Sequence, residues 1–137
     1  MLPTQCLCTK LRRASRGVSK LYDDALMAVG LNVAQYSLLK NLQRLEQPSI
    51  TSLAEAVGLE RSTLGRNLRV LEVKGLVLLA GGEDQRNRLV SLTAQGKDCL
   101  DQALQAWQQV QEQLAQRIGP QQKATLMALL DDLETLD

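Results

Sequence analysis

A mainly α-helical fold with one small β-hairpin is predicted by three observations. The 137-residue chain has no phenylalanine and only three aromatic residues, so leucine must build the core, and leucine favours helices. Apolar residues recur three and four apart along most of the sequence, the spacing of one helix face. Only between 76 and 92 does the period fall to two, on either side of a polar, glycine-containing separator. The length suits one domain with a single modest core.

The first helix is expected over 4–29. Leu7, Leu11, Ala14, Val18, Leu21 and Ala25 alternate spacings of four and three, a coiled-coil-like stripe. Lys10, Arg12, Arg13, Arg16 and Lys20 take the other faces, which read as solvated. Gly30 ends this helix, and Asn32 with Gln35 forms a capping box for the next, over about 33–45, which packs through Tyr36, Leu39 and Leu42. Glu46-Gln47-Pro48 is a loop, because the residue before proline avoids helix.

From Ser49 the chain reads SITSLAEAVGLERSTLGRNLRVLEVKGLVLLAGGEDQRNRLVSLT. Ser49 can cap a short helix over 50–57, and Gly58 ends it with a left-handed turn. A second helix spans about 61–74, with Leu64, Leu68 and Leu71 on one face and Gly75 as its stop. Two short helices about a glycine turn form a helix-turn-helix. Strands over 76–79 and 89–92 then flank AGGEDQRNR as a hairpin. Helix, turn, helix and hairpin together make a winged helix over 31–92.

After the hairpin a long helix is expected from Ala94 to about 117, with Leu100, Leu104, Trp107, Val110 or Gln111, and Leu114 in line. Gly119-Pro120 breaks it, glycine stopping one helix and proline starting the next. The last helix, about 121–136, is apolar at Leu126, Leu129, Leu130, Leu133 and Leu136. The terminal helices, 4–29 and 94–137, carry more apolar surface than one subunit can cover, so a homodimer is expected to bury it.

The second helix of the helix-turn-helix carries the chemistry. Its leucines account for the core face, and Ser62, Arg66 and Arg69 lie together opposite them, flanked by Arg61, Thr63 and Asn67. Arginine reads guanine edges in a major groove and hydroxyls anchor phosphates, so double-stranded DNA is the expected partner. Charge is divided to match: residues 1–92 hold 13 Lys+Arg against 8 Asp+Glu, and residues 93–137 hold 3 against 7. A basic body facing a polyanion and an acidic end facing away would look like this.

Leu53-Ala54-Glu55 through Gly75-Leu76-Val77, then Asp84-Gln85-Arg86 and Leu89-Val90-Ser91-Leu92-Thr93-Ala94-Gln95-Gly96, resembles the MarR family of prokaryotic transcription regulators. The D-x-R of the wing and the L-T-x-x-G after it carry the resemblance. The wing departs from the family pattern in having Gly81-Gly82 in place of a proline. The resemblance implies a dimer held by the terminal helices, a palindromic operator, and a small aromatic or anionic ligand where those helices meet the winged unit. It implies that Arg86, oriented by Asp84, and Arg88 meet the minor groove or its phosphates.

Other chemistries are excluded or disfavoured. With no histidine, a serine triad and a His-ligated zinc site are impossible. Cys6-x-Cys8 with a distant Cys99 lacks zinc-ribbon spacing, no glycine loop forms a phosphate cradle, and Asp23-Asp24 and Asp131-Asp132 read as solvated helix ends. No enzyme activity or cofactor is expected. Three cysteines in a chain with no apolar run of membrane length and no signal peptide point to the cytoplasm.

Cys8 is the one suggestive thiol, since Arg12 lies one helical turn away and a nearby cation favours thiolate. The organic-hydroperoxide-sensing branch of the MarR family has a reactive cysteine preceding an S-R pair by the interval between Cys8 and Ser15-Arg16, and a tyrosine where Tyr22 stands. Two further tyrosines of that branch are Arg12 and Val33 here. Cys6 is expected about 200° around the same helix, where it cannot bridge to Cys8. The plainer reading makes Cys8 a small residue in an interface. Two alternatives to a ligand-released repressor therefore stand: a thiol-based oxidant sensor acting through Cys8, and a winged-helix protein-interaction module that does not bind DNA.

Overall fold

The computed structural model describes residues 1–81 and 88–136. Among these residues, six α-helices and two paired strands follow in the order α1 (Leu7–Leu26), α2 (Val33–Leu45), α3 (Ile50–Val57), α4 (Arg61–Val73), β1 (Val77–Ala80), β2 (Leu89–Leu92), α5 (Ala94–Ile118) and α6 (Pro120–Glu134), with a 3-10 turn at Met27–Val29 after α1. Among the described residues no helix is long and apolar enough to cross a membrane.

The caps act where the residue types place them. Asn32 and Gln35 form the reciprocal box at the start of α2, and the Ser49 hydroxyl accepts from Ser52 N–H at 3.0 Å. Gly30 and Gly58 take the left-handed backbone, φ 76° and 71°, that ends the elements before them. Asp23 is not the solvated end expected: its Oδ1 accepts from Val33 N–H at 2.8 Å, so a carboxylate on α1 holds the start of α2.

The helix α1 starts later than expected. Cys6 is its N-cap, extended at φ −73° and ψ 114°, and its N–H donates to Thr4 Oγ1 at 3.1 Å. That local bond offers the backbone an alternative to helix and delays its start. The expectation that Cys6 and Cys8 lie about 200° apart on one helix is therefore wrong, because Cys6 is outside the helix.

The core sits between the helix-turn-helix, the hairpin and the faces of α2 and α5 that meet them. Leu39, Leu53, Leu64, Leu68 and Leu71 are fully buried, as is Val90 of the hairpin. Strand β1 begins one residue later than expected and pairs antiparallel with β2 in the register Val77↔Leu92 to Ala80↔Leu89. A third strand is present in its smallest form. Ser49 bridges Leu89, with Ile50 N–H donating to Arg88 O at 3.1 Å and Val90 N–H donating to Pro48 O at 2.9 Å. This pairing anchors the hairpin to the start of α3, and the two-residue periodicity of a strand is too short there to be visible.

Where β1 meets α5 the chain passes close to itself. Thr93 caps α5, accepting from Gly96 N–H at 3.0 Å while its hydroxyl donates to Gly75 O at 2.6 Å. A Cβ on Gly96 would overlap the Leu76 carbonyl oxygen. The T-x-x-G spacing is thus a packing requirement: threonine binds the glycine turn after α4 to the start of α5, and Gly96 lets the α5 backbone touch that of Leu76.

The terminal helices are different. On α1 the residues buried are Tyr22 and Leu26, which face α5, and the Tyr22 hydroxyl donates to Gln111 Oε1. The predicted stripe lies on another side, and Leu7 (64% exposed), Leu11, Val18 and Leu21 are uncovered. No residue of α6 is buried, Leu126 and Leu129 are exposed, and the helix ends at Glu134, which leaves Leu136 exposed beyond it and not on the expected stripe. On α5, Val110 is buried, while Gln111 turns to Tyr22 and Trp107 stacks on Tyr36 at 6.0 Å between ring centroids.

Candidate nucleic-acid interface

Helix α4 divides into two faces. Leu64, Leu68 and Leu71 have no exposed surface and fasten the helix to the core. Arg61, Ser62, Arg66 and Arg69 are exposed, and Thr63 and Asn67 are half-buried at the flank. Leucine packing on one side fixes the helix axis and so the Cα positions from which the arginines extend on the other, which a groove-reading helix needs.

The electrostatics suit an anion. No described carboxylate pairs with Arg61, Arg66 or Arg69, the described ion pair being Lys20–Asp24 on α1 at 2.8 Å. Arg66 Nη2 donates to Thr63 Oγ1 at 3.4 Å, a long bond that leaves its remaining donors for a ligand. Val73, 83% exposed, extends the same face toward its C-terminal end. Sequence reasoning did not single it out, because nothing in the spacing separates an exposed valine from a core one. An apolar side chain beside arginines suits a groove that offers thymine methyl groups.

The hairpin stands beyond the C-terminal end of α4. Arg88 is half-buried and donates from Nη2 to Leu79 O at 3.3 Å, so its side chain braces the hairpin in this structure. Asp84 and Arg86 lie outside the described residues. No group of three potential metal ligands forms among the described residues.

The model of the MarR family matches residues 31–78, the span from the start of α2 into β1. The transcriptional regulator SarZ of Staphylococcus epidermidis is 37% identical over 93 residues, covering 67% of this chain and 63% of SarZ. The crystal structure of the Mycobacterium tuberculosis transcriptional regulator MosR in complex with DNA superposes with a TM-score of 0.80 at 34% identity, covering 95% of this chain and 97% of MosR. The chain belongs to the MarR family. A transcriptional repressor of the same fold, CouR bound to p-coumaroyl-CoA, superposes with a TM-score of 0.89 at 22% identity, covering 97% and 94% of the two chains. The relatives named here are transcription regulators and not enzymes.

The three cysteines lie elsewhere on the molecule. Cys6 and Cys8 are exposed at the start of α1, and Cys99 is half-buried on α5. The Cys6 thiol, at the N-cap of α1, has its pKa lowered by the neighbouring Thr9 hydroxyl first and the Thr9 backbone N–H second. Burial pushes the Cys99 thiol up, with the Lys74 charge pulling the other way. Tyr22 does not come near Cys8 within the chain. Fourteen residues of α1 separate them, about 21 Å along the axis, and the Tyr22 hydroxyl is engaged by Gln111.

Proposed function

We propose that this chain is a homodimeric DNA-binding repressor that recognises a palindromic operator and is released by a small ligand. The observation that carries this reading is α4. It presents three arginines and a serine on an exposed face while its leucine face is fully buried. Ser62, Thr63, Arg66 and Arg69 meet base edges and phosphates of the major groove, Arg61 and Asn67 flank them, and Arg86 of the wing reaches the adjacent minor groove or its phosphates. A winged-helix module for protein interaction has no use for so much unpaired guanidinium on one helix.

Dimerisation follows from the uncovered stripes of α1 and α6, which a second copy would bury. Release by a small ligand is supported by the CouR complex and by a concavity of about 490 Å³ here, bounded by α2, β2 and α5, whose wall carries Lys97 together with Glu46 and Asp101. Selection of bound sequences from random duplex DNA tests the reading. A dyad-symmetric site with half-site centres about one helical turn apart, roughly 34–36 Å, is the expected result. A selected site without symmetry rejects the dimeric mode, and no retention on DNA or heparin at low salt supports the interaction module.

One observation favours a second reading, a thiol-based oxidant sensor. Two exposed thiols flank the first residue of α1, and that of Cys6 is lowered toward the reactive thiolate. Operator binding before and after a mild organic hydroperoxide, in the parent, Cys6→Ser and Cys8→Ser proteins, distinguishes the two. Loss of binding in the parent alone makes the pair the sensor, and equal behaviour of all three leaves both as packing residues.

A further inference from the structure

One side chain ties the end of the recognition helix to the end of the first helix. Lys74 is the C-cap of α4, and its ammonium donates to the Gly30 carbonyl at 2.6 Å, across 44 positions of sequence. A cation belongs at this end of a helix on electrostatic grounds alone, but here it also reaches a specific acceptor. Gly30 is the left-handed residue that closes the 3-10 turn after α1, and its own N–H is held by Met27 O at 3.0 Å. The corner is stiff on both sides. Asp23 of α1 grips Val33 at the start of α2, and Cys99 of α5 donates weakly to the Val29 carbonyl at 3.6 Å.

What lies under the bond gives it weight. An open groove of about 390 Å³ runs between the end of α4, the α1–α2 corner and the first turns of α5, with Gly30, Lys74, Leu76, Asp98, Cys99 and Gln102 among its walls. Leu26 and Leu31 of the corner and Leu71 and Leu76 of the α4 end belong to one buried core, with Val29 packed against it, and the Lys74 bond closes the solvent-facing edge of that junction. The core seats the two elements against each other, and the exposed Lys74–Gly30 bond is the described side-chain tie that holds the end of α4 in register with the corner.

We propose that Lys74 is a positioning residue for operator recognition: its bond to Gly30 fixes where α4 stands relative to α1, and so the distance between the two recognition helices of a dimer. The inference rests on the DNA-binding reading above. Lys74 needs no contact with DNA. Its ammonium offers three donors on a flexible stem, so it holds a carbonyl without demanding a planar fork.

The test is a panel of duplexes carrying the selected operator with its half-sites moved apart or together by one and by two base pairs, each step about 3.4 Å along the axis. Wild-type affinity is expected to fall steeply away from the preferred spacing. Lys74→Met should flatten that profile about tenfold while leaving affinity for unrelated DNA at low salt unchanged. Lys74→Arg, which keeps a cation and donors in reach, should restore it. Melting curves of each variant confirm folding, and Lys74→Gln replaces the methionine variant should that one melt early. A Lys74→Met profile identical to that of a spacing-selective wild type overturns the inference alone. So does a uniform loss at every spacing with the salt slope reduced by about one, the mark of a phosphate contact. A wild-type protein indifferent to spacing overturns the dimeric reading and this inference with it.

Discussion

The winged unit and the terminal helices obey the same periodicity and meet opposite fates. In α4 every residue of the leucine stripe is buried by the chain itself, whereas in α1 and α6 the corresponding stripes stand open, Leu7 at 64% and Leu129 at 57%. An apolar face at helical spacing shows that a helix has something to bury. It does not show whether the partner belongs to the same chain. The winged unit finds its partners within the same chain, Leu100 and Ala103 of α5 included, and Ser49, Thr93 and Gly96 close its polar groups. The terminal helices close one side only, through Tyr22 and Leu26 against α5.

The largest effect expected from this contrast is on assembly. Truncation after Gly119 removes five leucines, each contributing about 1.5–3 kcal/mol when fully buried. The truncated protein should sediment as a monomer or precipitate, and operator binding should be lost. A soluble truncated dimer of normal affinity would show that α6 is not the interface and that the contrast drawn here is false.

Two changes in the winged unit should act on different properties. Gly96→Ala gains roughly 1 kcal/mol of helix propensity, but its Cβ meets the Leu76 carbonyl oxygen. Overpacking against backbone should dominate, with a net loss of about 1–3 kcal/mol in denaturant unfolding. Arg66→Ala should leave the unfolding midpoint and the dimer unchanged. It should weaken operator binding by about 1–3 kcal/mol and relax preference at one base pair in each half-site. If Arg66→Ala lowered stability instead, the exposed face of α4 would be structural and not a recognition surface.

The smallest effect separates the thiols of the two regions. Thiolate is the reactive form, so Cys6, exposed and lowered by Thr9, should be alkylated faster at neutral pH than Cys99, half-buried and raised by burial. As pH rises, the Cys6 rate should level off first and the Cys99 rate should continue to climb. Mass spectrometry of timed iodoacetamide reactions reads both. Protection of Cys6 at high protein concentration, released by the truncation, would place it in the interface as well.

The sequence by itself determined the order of the elements and the exposed polar face of α4. Caps, glycine stops and leucine spacing are local chemistry, so α2, α3 and α4 begin where Asn32, Ser49 and the Gly58 turn indicate, and Arg66 and Arg69 lie opposite the leucines as a 3.6-residue period requires. The tertiary structure decided whatever depends on a neighbour far along the chain. It turned Asp23 from a solvated end into the holder of α2, took Cys6 out of the helix, drew Arg88 onto Leu79, and joined Lys74 to Gly30. It also chose Val110 over Gln111 for the core. No periodicity carries these contacts, because a hydrogen bond between residues 44 apart is set by how packed elements meet and not by the spacing within either one.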